Sequence, residues 1–143
     1  MNDTKVVIIT GASSGLGAAV ASWLGKNGAT VVLVARRKDR LQRIAQEIGR
    51  MGGACMVLPA DVSDPEACRK VVDTTLKQFQ RIDALINNAG IITPMASISQ
   101  ANINQWRKAI DVNLMGPFSL SHFALTSLAA IQGRIINVSS GAA

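Results

Sequence analysis

Aromatic residues are scarce in this chain. Phe, Trp and Tyr together make up 3% of the 143 residues, and there is no Tyr at all. Hydrophobic residues nevertheless make up 48%, so aliphatic side chains must fill the interior. Charged residues are 17%, and the sequence has no low-complexity tract or tandem repeat. This composition excludes a disordered chain, and the length predicts one domain over residues 1–143.

Cysteine is also rare. Cys55 and Cys68 are the two cysteines, and they form no CxxC motif. No signal-peptide pattern precedes the first predicted strand, so we expect reduced thiols and a cytoplasmic location. We predict no metal site.

One long stretch, residues 114–131, lacks Lys, Arg, Asp and Glu. Its length is sufficient for a membrane span to be considered. It contains His122, Gly116-Pro117 and several Ser and Thr residues, however. We therefore predict a helix that is buried in a core or at a subunit interface, and no membrane partner.

Basic residues outnumber acidic ones by 15 to 9, which gives a formal net charge of +6. Much of the excess lies in one run, at Arg36, Arg37, Lys38, Arg40 and Arg43. No aromatic residues are interleaved with this run, as a platform for stacking bases would require. The run predicts a local phosphate site and no nucleic-acid partner.

Strand and helix patterns alternate along the chain. Short β-branched and aliphatic runs predict strands at residues 5–10, 30–35, 54–59, 82–86 and 134–138. Helical patterns lie between them, at residues 15–26, from about 41 to 51, after a capping-box pattern of Ser63 with Glu66, and from about 102 to 131 with a kink at Pro117.

This alternation predicts an α/β fold. We expect a Rossmann-type doubly wound parallel sheet with five strands in the order 3-2-1-4-5 and right-handed crossovers. A ligand crevice is expected at the carboxyl ends of the strands.

A glycine-rich loop, residues 10–17 (TGASSGLG), joins the first strand to the first helix. Backbone N–H groups and the helix dipole at such a turn can receive a pyrophosphate. The alternative is an ordinary strand-to-helix turn whose glycines serve packing. The predicted cofactor residues of this loop are Gly11, Ser13, Ser14, Gly15, Leu16 and Gly17.

The residue that ends the second strand indicates which dinucleotide is bound. An acidic side chain there would bond the adenosine ribose and repel a 2′-phosphate, but this chain has Ala35, followed by Arg36 and Arg37. Guanidinium groups recognise phosphate well, so these residues predict NADP(H). The alternative is a solvated basic start to a surface helix.

Three more motifs follow in order: NNAG at residues 87–90, Asn113, and NVSS at residues 137–140. Together with TGASSGLG they give the chain a specific resemblance to the compact branch of the short-chain dehydrogenase/reductase family, over essentially all 143 residues. The resemblance implies hydride transfer between a nicotinamide and a small-molecule carbonyl or alcohol substrate. It also implies a homodimer or homotetramer for the full-length form.

The resemblance assigns further cofactor contacts. Asp61 is similar to the family residue that accepts a hydrogen bond from the adenine amino group, with Val62 beside the ring, and Ser63 as the predicted N-cap leaves Asp61 available. The segment Asn88, Ala89 and Gly90 resembles the lining of the adenosine ribose. A turn role for Asp61 and structural bonds for Asn87 and Asn88 are the alternatives.

By the same resemblance Ser140 is the catalytic serine and Asn113 the helix asparagine. The family's proton donor is a Tyr followed four residues later by a Lys, and no such pair occurs here. We therefore expect a domain truncated after the fifth strand, with the carboxyl-terminal strands missing, the fifth strand exposed and catalysis incomplete. The alternatives are a non-catalytic NADP(H)-binding protein and an inert fragment.

Overall fold

Five parallel strands form the centre of the fold in the computed structural model, which describes residues 4–140. Their order across the sheet is β3-β2-β1-β4-β5, which confirms the predicted topology. The strands are β1 (Val6–Thr10), β2 (Thr30–Ala35), β3 (Ala54–Pro59), β4 (Ala84–Asn87) and β5 (Arg134–Asn137).

The strand β1 lies in the middle, paired with β2 on one side and β4 on the other. Its five residues are all buried, as are the first five of β2. Both strands are runs of β-branched and aliphatic residues, because a central parallel strand is covered on both faces. The fourth strand begins two residues later than predicted, at Ala84.

Helices cover the two faces of the sheet. One face packs against α1 (Gly15–Lys26) and α2 (Lys38–Arg50), with Ala21, Leu41 and Ile48 in its core. The other packs against α3 (Pro65–Phe79) and α5 (Gly116–Ala130), with Val72 and Leu120 in its core. A further helix, α4 (Ile103–Ile110), precedes α5.

The helical region before β5 is interrupted, but earlier than predicted. A π-helix, Asp111–Met115, joins α4 to α5. Pro117 lies in the first turn of α5, which continues directly from the π-helix; it has no N–H to donate, and its ring crowds the carbonyl of Asn113 four residues earlier. The irregular segment therefore lies before the proline. Within residues 4–140, no helix is both long and apolar enough to cross a membrane.

The predicted capping box of α3 is wrong. The N-cap is Asp64, whose side chain accepts a hydrogen bond from Glu66 N at 3.0 Å. Ser63 instead donates both its backbone N–H and its hydroxyl to Asp61 Oδ1, at 3.0 and 2.7 Å. A helix that starts at Pro65 moves the cap by one residue, and Asp is as good a cap as Ser.

The strand β5 lies at the edge of the sheet and is exposed along its whole length. Ile135 and Ile136 are 38% and 47% exposed. This agrees with the expected edge position of the fifth strand.

Candidate functional site

A cavity of about 240 Å³ lies at the carboxyl edge of the sheet. The loops that follow β1, β2, β3 and β4 all contribute to it, because parallel strands direct these loops to the same edge. Most of the predicted cofactor residues line the cavity, namely Gly11, Ser13, Ser14, Arg36, Arg37, Asp61, Val62, Asn88, Ala89 and Gly90. Gly15, Leu16 and Gly17 do not.

The glycine loop is closely packed at two of its three glycines. Gly11 has φ +66°, and a Cβ there would lie 2.8 Å from Asn88 Nδ2. A Cβ on Gly17 would overlap the carbonyl oxygen of Gly11 and lie 2.5 Å from the same Nδ2. Gly15 has φ +56° and faces open space, and Leu16 is exposed. The loop can keep this shape only without side chains at Gly11 and Gly17.

The amino end of α1 has unused hydrogen-bond donors. Its N-cap, Ser14, has an extended backbone, and the Ser14 side chain makes no capping bond. No acidic residue occupies the first turn. The first N–H groups of a helix have no intrahelical partner and carry the positive end of its dipole. This end of α1 can therefore bind an anion, and it lies beside the cavity.

Thr10 organises the two loops that meet under the cavity, and the sequence analysis did not identify it. The hydroxyl of Thr10 is buried and accepts hydrogen bonds from Asn88 N at 3.0 Å and Ala89 N at 2.9 Å. Asn88 Nδ2 donates in return to Thr10 O at 3.0 Å. The signal in the sequence was a threonine at the end of an otherwise aliphatic strand, directly before the first glycine.

Arg36 and Arg37 lie at the cavity after β2, and both are exposed. Neither forms a salt bridge with any acidic group of residues 4–140. Arg37 is the N-cap of α2 but makes no side-chain capping bond. Two unpaired cations at the amino end of a helix oppose its dipole, which is unfavourable unless an anion binds there.

Asp61 lies across the cavity and is already partly engaged, which corrects the expectation that it is free. Its Oδ1 accepts the two bonds from Ser63, while Oδ2 lies 3.9 Å from Lys108 Nζ. Partial burial raises the pKa of Asp61, but the bonds from Ser63 and the charges of Lys108 and Arg36 outweigh burial and lower it. The carboxylate is therefore ionised at neutral pH, with Oδ2 able to accept a bond.

A second, more open cavity of about 790 Å³ adjoins the first. The two share the wall formed by Asn88, Ala89, Gly90 and Ile91. Asn113, Ser139 and Ser140 line the second cavity. The structure thus brings both predicted catalytic residues to one cavity, next to the predicted cofactor residues.

Asn113 holds the wall between the two cavities. Its Oδ1 accepts from Ile91 N at 2.8 Å, and its Nδ2 donates to Ile91 O at 2.7 Å. Asn113 lies in the π-helix, a form that is frequent at functional sites. Both halves of the amide are engaged with backbone, so the side chain fixes the path of the loop after β4.

Asn87 joins the ends of two strands. It is 3% exposed, and its Nδ2 donates to Asn137 Oδ1 at 2.9 Å. Its Oδ1 is buried without a partner among the described residues. The bond connects the end of β4 to the end of β5, three residues before Ser140. Within residues 4–140, no group of three or more acidic, His or Cys side chains could hold a metal ion.

The sheet order and the crevice at its carboxyl edge define a Rossmann-type α/β protein. The family model "short chain dehydrogenase" matches residues 5–143. The chain belongs to the short-chain dehydrogenase family.

Two plant relatives illustrate the similarity to curated proteins. The chain is 40% identical over 140 residues to 11-beta-hydroxysteroid dehydrogenase-like 3 of Arabidopsis thaliana, covering 97% of this chain and 45% of that protein. It is 43% identical over 137 residues to 11-beta-hydroxysteroid dehydrogenase A of Sesamum indicum, covering 95% of this chain and 39% of that protein. The chain thus spans less than half the length of these relatives.

Solved structures agree with this assignment. A metagenomic short-chain oxidoreductase in complex with NADP is 36% identical with a TM-score of 0.93, and the match covers 96% of this chain and 63% of that one. An alcohol dehydrogenase from the archaeon Thermococcus sibiricus, complexed with 5-hydroxy-NADP, is 31% identical with a TM-score of 0.92. That match covers 96% of this chain and 59% of the other.

Proposed function

We propose that this chain is the NADP(H)-binding part of a short-chain dehydrogenase/reductase that interconverts a carbonyl and an alcohol. The observation that carries the proposal is the cavity at the carboxyl edge. It combines a glycine loop that excludes side chains, an uncapped helix end and two unpaired arginines.

The residues present fit a dinucleotide. The open donors at the start of α1, with Ser13 and Ser14, would hold the pyrophosphate. Asp61 Oδ2 would accept from the adenine amino group, with Val62 beside the ring. Asn88, Ala89 and Gly90 would line the ribose, and Gly15, Leu16 and Gly17 would shape the loop beneath the phosphates.

A preference for NADP(H) over NAD(H) rests on the residues after β2. Ala35 stands where an acidic side chain would bond the ribose hydroxyls, and Arg36 and Arg37 supply charge for a 2′-phosphate. The complexes of two structural relatives with NADP and 5-hydroxy-NADP support the same preference.

For the reaction, the bound dinucleotide supplies or accepts the hydride. Ser140 would orient the substrate oxygen from the second cavity, and Asn113 would keep the Ile91 loop in place between substrate and cofactor. The 143 residues contain no Tyr to serve as the family's proton donor. We therefore propose that this chain binds NADP(H) but does not turn over substrate by itself.

The outer face of the long helical region supports a homodimer or homotetramer for the full-length protein. Exposed apolar side chains recur along it, at Trp106, Ile110, Leu114, Phe118 and Leu125, of which Leu114 and Phe118 also line the second cavity. Large apolar patches of this kind mark interfaces. A cytoplasmic location stays a prediction.

The test is a fluorescence titration of the 143-residue chain with NADPH and with NADH. We expect NADPH to bind, and Arg36→Ala to weaken NADPH roughly 10- to 100-fold, since a charge-assisted phosphate contact contributes about 1.5–3 kcal/mol. NADH affinity should change little. Arg50→Ala, at the far end of α2, is the matched control. Absence of NADPH binding to the parent chain, or equal loss for both nucleotides, would refute the proposal.

A further inference from the structure

Lys108 lies on α4, outside every motif from which the site was predicted. Its Nζ lies 3.9 Å from Asp61 Oδ2, so it joins α4 to the loop after β3 at the predicted adenine end of the cavity. The two side chains are 53% and 35% exposed. A contact as exposed as this contributes little to folding stability. The main effect of the contact is therefore on the charge of the cavity.

Backbone packing places this part of the helical region against Asp61 and Val62. Val112, four residues after Lys108, is buried and lines the cavity. Gly116, four residues further, lies so close that a Cβ there would be 3.0 Å from Val62 Cγ2 and from Val62 O. The π-helix Asp111–Met115 lies between Lys108 and Gly116, so α-helical spacing does not relate the two positions. The close approach at Gly116 holds the end of this π-helix against Val62, and the 3.9 Å contact places Lys108 at Asp61.

The charges around the cavity would conflict without this lysine. Asp61 and Arg36 line the same cavity, and the Asp61 carboxylate is ionised at neutral pH. A phosphate bound at Arg36 would therefore be repelled by Asp61. The ammonium of Lys108 offsets that negative charge, and it leaves Oδ2 in place to accept from an adenine.

We propose that Lys108 is a positioning residue that makes the cavity selective for the phosphorylated dinucleotide by compensating the charge of Asp61. This inference rests on the NADP(H) binding proposed above. Lys108 itself need not touch the ligand, because its effect passes through the carboxylate.

The experiment measures NADPH and NADH dissociation constants for the 143-residue chain at low and at physiological ionic strength. Lys108→Met should weaken NADPH roughly three- to tenfold at low salt and less at higher salt, with under about twofold loss for NADH. Lys108→Arg should restore NADPH binding. Lys77→Met, which removes an equal charge in the last turn of α3, should have no effect.

A double mutant separates this mechanism from a structural role. In an Asp61→Asn background, Lys108→Met should leave the NADPH constant unchanged, because no carboxylate remains to be compensated. The inference would be overturned if Lys108→Met weakened NADPH binding equally in the Asp61→Asn background. It would also be overturned if Lys108→Met did not weaken NADPH binding in the parent chain. If Arg36→Ala still impairs NADPH binding, the proposed function survives that result. If the parent chain does not bind NADPH, both the inference about Lys108 and the proposed function are wrong.

Discussion

The two edges of the sheet both carry a cavity, yet they differ in how their polar groups are used. At the amino edge a cavity of about 580 Å³ lies beside Lys5, Trp23, Asp83 and Gly133. At the carboxyl edge the cavity lined by the predicted cofactor residues is smaller, about 240 Å³, although the adjoining one measures about 790 Å³. Cavity volume therefore does not distinguish the candidate site from the cavity at the amino edge.

The difference lies in hydrogen-bonding capacity. Asp83 at the amino edge accepts from Val6 N at 2.8 Å and from Arg81 Nε at 2.8 Å, and it pairs with Lys5 at 3.5 Å. Its charge is satisfied within the protein. At the carboxyl edge the first turn of α1 and the guanidinium groups of Arg36 and Arg37 are left for a ligand. Unused hydrogen-bond donors, rather than cavity volume, therefore indicate which edge of the sheet binds the ligand.

The largest expected effect on NADPH affinity comes from adding a side chain to the glycine loop at the carboxyl edge. Gly17→Ala places a Cβ against the backbone of Gly11, so α1 must move away from the loop. We expect NADPH affinity to fall at least about 100-fold, since a shift of about 1 Å misplaces every donor. Gly49→Ala in α2 is the control, because no heavy atom lies within 4 Å of its added Cβ. Affinity within about threefold of the parent would contradict the packing argument.

A second variant removes the link under the cavity. Thr10→Val keeps the shape of the side chain but leaves Asn88 N and Ala89 N without their acceptor. We expect the free energy of unfolding to fall by about 2–4 kcal/mol, measured by urea denaturation, and NADPH binding to weaken with it. Thr74→Val, on the exposed side of α3, should change neither. Unchanged stability of Thr10→Val would show that the hydroxyl is dispensable.

The smallest effect on binding is expected at the amino edge. Burial raises the pKa of Asp83, but the bonds from Arg81 and Val6 N and the charges of Arg81 and Lys5 outweigh it, so the folded-state pKa is lowered. The stabilisation is therefore present above the ordinary Asp pKa of 3.8 and is lost as the pH falls through the lower folded value.

Asp83→Asn should accordingly cost about 1–3 kcal/mol of stability at neutral pH and flatten the acid limb of the stability profile. The NADPH dissociation constant should stay within about twofold, because Asp83 lies at the opposite edge from the binding cavity. Urea denaturation as a function of pH and a parallel titration measure both quantities. A large loss of NADPH affinity would remove the distinction between the two edges.

Much of the fold could be predicted because its signals are local. The runs at β1, β2 and β3 and the glycine after α1 mark their elements directly in the sequence. The start of β4 was misplaced because Ile82 is as apolar and buried as the strand that follows it. The cap of α3 was misassigned because Ser63 and Asp64 are both good caps, and only the structure shows which one faces the helix.

The parts of the site that escaped prediction depend on contacts between distant residues. Thr10 meets Asn88, and Lys108 meets Asp61, without any spacing in the sequence that could reveal it. The use of both amide atoms of Asn113 by Ile91 is of the same kind. Motifs identified the loops around the cavity, but the bonds that join one loop to another require the fold.

The most direct test of the central claim maps NADPH onto the folded chain by amide chemical shifts in ¹⁵N-labelled protein. We expect large shifts at Gly11, Ser13, Asp61 and Ala89, where the loops of the carboxyl edge meet. We expect none at residues 131–133 beside the amino-edge cavity. Shifts confined to the amino edge, or no shifts at millimolar NADPH, would contradict the claim.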